Sequence, residues 1–87
     1  MQETNTIWGL HQQRVTPAQY LCLNYLRETR LPTEIAAHLR LTQAAVSLML
    51  LHFFNLGFIE PGEARADRRQ RPVRLSEAGR TFLEGLT

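Results

Sequence analysis

EIAAHLRLTQAAVS, residues 34–47, is the stretch that decides the fold of this 87-residue chain. Its apolar positions are spaced to point from two short helices into one core: Ile35, Leu39, Leu41 and Val46. Ala36 is small where the two helices cross, and Thr42 is placed to cap the second helix. The pattern predicts a helix-turn-helix, whose second helix is suited to a major groove. A helical hairpin of any small α-protein is the alternative, and this stretch alone leaves the two nearly equal.

The residues on either side predict three more helical or hairpin elements. Thr16-Pro17-Ala18-Gln19 is a capping box that begins a first helix, which Leu31-Pro32 is expected to end near Arg30. Thr33 is expected to cap the second helix, which runs to about Leu39. The third helix is expected to run from Gln43 to about Leu56, and Gly57 ends it. Two short strands, 58–60 and 73–75, then form a hairpin, and Ser76 caps a last helix.

The predicted fold class is therefore α+β, mostly α. It is a winged helix-turn-helix with a three-helix core, a two-stranded β-wing and a C-terminal helix. The length leaves room for a single domain over residues 1–87. Residues 1–14 are expected to form an N-terminal arm or short helix, and residues 76–87 the C-terminal helix.

The charge is concentrated in the predicted hairpin. The ten basic residues of the chain are arginines, and the net charge is +2. RADRRQRPVR, residues 65–74, holds five of these arginines and one aspartate, a local charge of +4. A run of one sign is often only a solvated surface, but here it follows a candidate recognition helix directly. That position favours a polyanionic partner, double-stranded DNA.

Other classes of protein are disfavoured by what the sequence does not contain. One cysteine and three histidines without ligand spacing indicate neither a disulfide framework nor a metal site, and Cys22 is best interpreted as a core residue. The absence of a nucleophile motif and of a glycine-rich phosphate loop predicts no cofactor and no enzyme activity. The sequence has no secretory signal and no apolar run of membrane-spanning length, so a cytoplasmic location and no membrane partner are expected.

Residues 15–86 resemble the MarR-type winged-helix transcriptional regulators. The similarity is carried by three runs: Leu56-Gly57-Phe58-Ile59-Glu60, Asp67-Arg68-Arg69 and Val73-Arg74-Leu75-Ser76-Glu77-Ala78-Gly79-Arg80. The resemblance implies a DNA-binding regulator that acts as a homodimer on a palindromic operator, and we expect a repressor. It also implies that Asp67 braces Arg69 and that Arg69 enters a minor groove. Release by a small aromatic ligand is frequent among such regulators, and an effector is left open here.

The candidate DNA contacts lie in two groups. The first surrounds the start of the third helix and comprises Arg40, Thr42, Gln43, Ala44, Ser47 and Leu48, with Leu48 a candidate for contact with thymine methyls. The second comprises the wing residues Arg65, Arg68, Arg69 and Arg71, which are expected to straddle a minor groove. Arg40 stands where such turns prefer glycine, and a left-handed arginine costs about 1 kcal/mol. A slightly different turn, with Arg40 near a phosphate, is therefore expected.

Two features depart from the MarR-type pattern. The long terminal helices that build the dimer and ligand pocket are mostly missing, which leaves residues 1–14 and 76–87 for that role. The third helix is unusually apolar, with no arginine or lysine from Thr42 to Ala64. DNA specificity is then expected to depend partly on duplex shape.

The alternative function is a protein-interaction module that uses the apolar face formed by Leu48, Leu51 and Phe54. The homodimer is expected to form through this apolar face or through the terminal segments. Cover by the Ile7-Trp8 segment also remains open.

Overall fold

The computed structural model describes residues 15–63 and 71–86. Four helices and two strands follow one another along the chain: α1 Pro17–Tyr25, α2 Pro32–Leu39, α3 Gln43–Leu56, β1 Ile59–Pro61, β2 Val73–Leu75 and α4 Glu77–Gly85. The mostly helical α+β class is confirmed. The predictions for the N-terminal arm, residues 1–14, and for the tip of the hairpin, residues 64–70, lie outside the described residues.

Three predicted helix starts are confirmed by their capping hydrogen bonds. Thr16 and Gln19 form the reciprocal box, since Thr16 Oγ1 accepts from the Gln19 N–H at 3.1 Å and Gln19 Oε1 accepts from the Thr16 N–H at 3.0 Å. Thr42 Oγ1 accepts from the Ala45 N–H at 3.1 Å, and Ser76 Oγ accepts from the Gly79 N–H at 3.0 Å. Each bond satisfies an amide that has no partner within its own helix.

The boundary between α1 and α2 differs from the sequence prediction. α1 ends at Tyr25 rather than near Arg30, and Leu31, not Thr33, is the N-cap of α2. The Leu31 N–H donates to Glu34 Oε1 at 2.8 Å, and Pro32 takes the first helical position, where its missing N–H costs nothing. Leu31-Pro32 therefore begins α2 instead of ending α1.

The turn between α2 and α3 is the tight one that the sequence predicts. The two helices are bent by 115° relative to each other. Arg40 has φ 58° and ψ 45°, the left-handed conformation, and the Leu41 N–H donates to the Ala36 carbonyl at 3.0 Å. Within the described part of the chain, no single helix is long and apolar enough to cross a membrane. α2 and α3 meet that requirement only when counted together across the bend.

The core lies where the three helices meet the hairpin and α4. Its buried side chains include Leu23 and Leu26 near the end of α1, Ile35 of α2, Val46, Leu50 and Phe53 of α3, and Phe82 and Leu83 of α4. The rings of Phe58 and Phe82 stack with centroids 4.4 Å apart. Each fully buried side chain of this size contributes about 1.5–3 kcal/mol relative to exposure, so this cluster is the main source of stability.

The hairpin is attached to the helices along its second strand. β1 and β2 are antiparallel in the register Ile59↔Leu75, Glu60↔Arg74, Pro61↔Val73. On its other edge β2 bonds to the α1–α2 connection: Arg30 and Val73 exchange backbone hydrogen bonds of 2.9 and 2.8 Å, and the Leu75 N–H donates to the Leu26 carbonyl at 3.0 Å. β2 is therefore bonded on both sides, and the base of the hairpin is fixed to the helical core.

α4 fixes the end of α3 to the start of the hairpin. Ser76 Oγ donates to the Gly57 carbonyl at 2.6 Å, and the Ser76 N–H donates to the Phe58 carbonyl at 2.9 Å. Gly79 sits directly against this joint, because a Cβ at that position would overlap the Phe58 carbonyl oxygen. Gly57 ends α3 with φ 78°, as its position in the sequence predicts.

Candidate nucleic-acid interface

The first two turns of α3 present the predicted contact residues to solvent. Gln43, Ala44, Ser47 and Leu48 are all exposed, while Val46 on the opposite face is buried. Thr42 is exposed at the N-cap, and its hydroxyl oxygen accepts the Ala45 N–H, which leaves the hydroxyl proton to donate elsewhere. The structure thus brings these side chains together at one end of one helix.

Arg40 supplies a positive charge beside this helix start. It is exposed, and it precedes the N-cap Thr42 by two residues. The sequence predicted a slightly different turn because of the cost of a left-handed arginine, but Arg40 adopts the left-handed conformation all the same. A fixed cation here adds to the partial positive charge at the N-terminus of α3, and both favour an anion.

The exposed part of α3 beyond this point carries three large apolar side chains, together with the polar His52 and Asn55. Leu48 is 70% exposed, Leu51 57% and Phe54 40%. We call these three side chains the apolar stripe. Between Thr42 and Glu63, all of which the structure describes, there is no arginine or lysine, so α3 carries no formal cation of its own. Exposed large apolar side chains in one row are typical of a contact surface.

A groove of about 270 Å³ separates α3 from the base of the hairpin. Its wall on the helix side includes Phe54, and its wall on the hairpin side includes Pro61, Pro72 and Arg71. Arg71 is exposed. The groove therefore places a second cation near the C-terminal half of α3, and no local pattern predicts that Phe54 and Arg71 share a surface.

The remaining wing residues fall outside the described part of the chain. Arg65, Asp67, Arg68 and Arg69 all lie within residues 64–70. Their proposed minor-groove contacts, and the bracing of Arg69 by Asp67, stay predictions. At the base of the hairpin, exposed Arg74 pairs with Glu60 across the two strands, with Nε 2.8 Å from Oε2.

An aromatic stack that sequence reasoning missed joins α1 to α2. The rings of Tyr25 and His38 are nearly parallel, with centroids 3.9 Å apart, and the Arg30 guanidinium carbon lies 4.0 Å from the Tyr25 centroid. Arg30 Nε also donates to the Tyr25 carbonyl at 3.2 Å. The His38 ring and the Arg30 guanidinium both lie in van der Waals contact with the Tyr25 ring. Since Tyr25 ends α1 and His38 belongs to α2, this stack holds the two helices together. The two rings are far apart in sequence, and no local pattern indicates the contact.

Neither a shifted pKa nor a metal-binding cluster was found at this interface among the described residues. Burial raises the pKa of the Cys22 thiol to about 12, which keeps it protonated and agrees with a core role. Among residues 15–63 and 71–86, no cluster of three histidine, cysteine or carboxylate side chains is arranged to hold a metal ion.

We compared the sequence and the structure with those of known proteins. No protein-family model matches the sequence, and no curated protein matches it. Solved structures do match. A mutant MepR from a multidrug-resistant S. aureus clinical isolate superposes with a TM-score of 0.75 at 25% identity, covering 84% of this chain and 56% of MepR. YusO from Bacillus subtilis gives 0.75 at 28% identity, covering 83% and 52%. A mutant E. coli MarR, solved in complex with operator DNA, gives 0.74 at 26%, covering 80% and 51%.

The fold is that of a MarR-type winged-helix regulator. In this fold α2 and α3 form the helix-turn-helix, and β1 and β2 form the base of the wing. The chain spans about half the length of the solved structures it matches. Those neighbours are transcription regulators and not enzymes, which agrees with the prediction made from the sequence.

Proposed function

We propose that this chain is a sequence-specific double-stranded-DNA-binding transcriptional regulator. The observation that carries the proposal is the exposed N-terminal half of α3, in a fold shared with operator-bound MarR. Arg40 precedes this half, and Arg71 at the hairpin base lies near the C-terminal half of the same helix. A MepR–DNA complex shares the same fold, with a TM-score of 0.74 at 24% identity. In this proposal α3 lies in a major groove and the arginine-rich wing enters the adjacent minor groove.

Affinity and specificity come from different residues in this proposal. Arg40, Thr42 and the wing residues Arg65, Arg68, Arg69 and Arg71 contact phosphates or the narrow minor groove and supply most of the affinity. Gln43, Ala44, Ser47 and Leu48 meet base edges in the major groove. Asp67 orients Arg69 by a charge-assisted hydrogen bond.

The same proposal includes the direction of regulation, the location of the protein and its oligomeric state. It acts as a repressor in the cytoplasm and binds its operator as a homodimer. In this proposal the dimer forms through the terminal segments, because Leu48 of the apolar stripe contacts base edges. Arg69 within the wing is the residue on which minor-groove contact depends.

The test is the salt dependence of binding to a random-sequence duplex by the full chain and by Arg69→Ala. The logarithm of the affinity should fall linearly with the logarithm of salt concentration, with a slope of about 0.9 for each neutralised phosphate. Arg69→Ala should weaken binding and reduce this slope by about one unit. Arg80→Ala is the matched control, because Arg80 is an exposed arginine of α4 and is not among the proposed contact residues. Its affinity and slope should equal those of the unmodified chain.

Two outcomes contradict the proposal. A chain that fails to bind duplex DNA at low salt is not a DNA-binding regulator. Equal losses in Arg69→Ala and Arg80→Ala would mean that the arginines act only through net charge, and the wing assignment would be wrong.

A second candidate function is favoured by the exposure of the apolar stripe. Leu48 and Leu51, both more than half exposed on a helix without cations, suit a protein partner as well as a nucleic acid. Such binding would survive high salt, would require Leu48 and Leu51, and would be indifferent to Arg69→Ala. Those three properties together distinguish it from DNA binding.

A further inference from the structure

We propose that Leu48 and Leu51 read the C5-methyl groups of pyrimidines in the major groove, so that the protein distinguishes thymine from uracil and 5-methylcytosine from cytosine. This inference rests on the proposed DNA-binding function and names the chemical group that the recognition helix would select.

The exposure and spacing of the two leucines are the first argument. Leu48 is 70% exposed and Leu51 57%, and the two are separated by three positions on α3. Residues three apart lie on the same face of a helix, with a rise of about 4.5 Å between them. Successive base pairs are about 3.4 Å apart. The two side chains are therefore spaced to meet neighbouring base pairs.

The second argument is the chemistry that the major groove offers. Its base edges carry hydrogen-bond donors and acceptors, and its apolar group is the thymine C5-methyl. Among the exposed side chains of the first three turns of α3, Gln43, Ser47 and His52 can form hydrogen bonds, whereas Ala44, Leu48 and Leu51 are apolar. Leu48 and Leu51 are the large exposed apolar side chains of this surface, and they gain most from a groove lined with methyl groups. Cytosine methylated at C5 presents the same methyl at the same ring position.

The third argument is the charge at the two ends of the stripe. Arg40 precedes the N-cap of α3, and Arg71 shares a groove with Phe54 near the other end of the helix. Both arginines are exposed. An apolar centre between two fixed cations is complementary to a major groove, in which the methyl groups lie between two phosphate backbones. A neutral apolar protein surface would leave both cations unused.

The experiment compares duplexes that differ in the methyl group. A random duplex library is selected on the full chain, and the selected pool is amplified once with thymidine triphosphate and once with deoxyuridine triphosphate. Binding of the two pools is measured for the unmodified chain, for Leu48→Ala/Leu51→Ala and for Leu21→Ala. Leu21 is the matched control, because it is 51% exposed but lies on α1. A third pool, with 5-methylcytosine placed at the uracil-sensitive positions, tests the same group on another base.

We expect the thymine pool to bind more tightly than the uracil pool, by about fourfold for each methyl in contact. Leu21→Ala should keep this ratio, Leu48→Ala/Leu51→Ala should reduce it to one, and 5-methylcytosine should bind better than unmodified cytosine. Equal binding of the thymine and uracil pools overturns the methyl-reading inference while the DNA-binding function stands. A ratio that persists in Leu48→Ala/Leu51→Ala overturns it as well, because the methyls would then act through duplex shape. Failure to bind either pool, or to enrich any duplex, overturns the DNA-binding function itself.

Discussion

Gly79→Ala should destabilise this protein, although alanine is the better helix former. An added Cβ would overlap the Phe58 carbonyl oxygen and come within 3.0 Å of both the Phe58 carbonyl carbon and Leu75 Cδ2. The carbonyl cannot turn aside cheaply, because it accepts the Ser76 N–H at 2.9 Å. Overpacking typically costs about 1–3 kcal/mol. We expect a cost at the upper end of this range, because the atom in the way is a hydrogen-bonded backbone carbonyl. The helix propensity of alanine over glycine returns about 1 kcal/mol. The expected net loss is therefore about 2 kcal/mol.

Thermal unfolding followed by circular dichroism measures this loss. For a domain of this size, about 2 kcal/mol lowers the Tm by roughly 8–16 °C. Ala78→Gly, at the exposed neighbouring position on α4, is the control and should lose about 1 kcal/mol through propensity alone. A Gly79→Ala protein as stable as the unmodified chain, or more stable, would refute the reasoning. It would mean that α4 is not held against Phe58, and that the joint between α3 and the hairpin is looser than described.

Three further predictions concern the turn, the core and the hairpin. Arg40→Gly should raise the stability by about 0.5–1 kcal/mol by relieving a left-handed arginine, and should lower the salt slope of DNA binding by about one unit, which paired melting and titration experiments check. Stability should fall as pH rises from about 9 to about 12: Cys22 keeps its proton in the folded state, where its pKa is raised to about 12, while the unfolded thiol ionises near 9.0. Urea unfolding at several pH values should show this decline in the unmodified chain and a smaller one in Cys22→Ala. Glu60→Ala should cost less than about 1 kcal/mol in the same urea assay, because its ion pair with Arg74 is exposed on both sides.

The parts of the fold that the sequence predicts are those encoded within a few residues. The caps at Thr16, Thr42 and Ser76 each depend on a side chain and an amide three positions later, and the left-handed Gly57 depends on its own lack of a side chain. The prediction that Thr33 caps α2 is wrong for a physical reason. The general signal is a hydroxyl at the N-cap, whereas here the Glu34 carboxylate accepts the Leu31 amide without any hydroxyl at that position.

The parts that the sequence does not predict are contacts between distant residues. Nothing local to Arg30 indicates that it pairs with Val73, or that α1 ends at Tyr25, five residues before that pairing. The stack of Tyr25 on His38 and the groove shared by Phe54 and Arg71 are also contacts between residues that are distant in sequence. For the candidate site, the outward direction of Gln43, Ser47 and Leu48 follows from helical periodicity, whereas the position of Arg71 beside α3 requires the three-dimensional fold.

The bonding of β2 on both edges has a consequence for how the hairpin tolerates insertions and deletions. Val73 and Leu75 are buried while Arg74 between them is exposed, so a shift by one residue would turn two core side chains outward and break pairings with β1 and with Arg30 together. A one-residue insertion between Val73 and Leu75 would therefore disrupt the core. The same insertion between Glu63 and Arg71 falls outside both strands and leaves the pairing register of β1 with β2 unchanged. Evolution can thus vary the reach of the arginine-rich segment without changing the orientation of its base against α3.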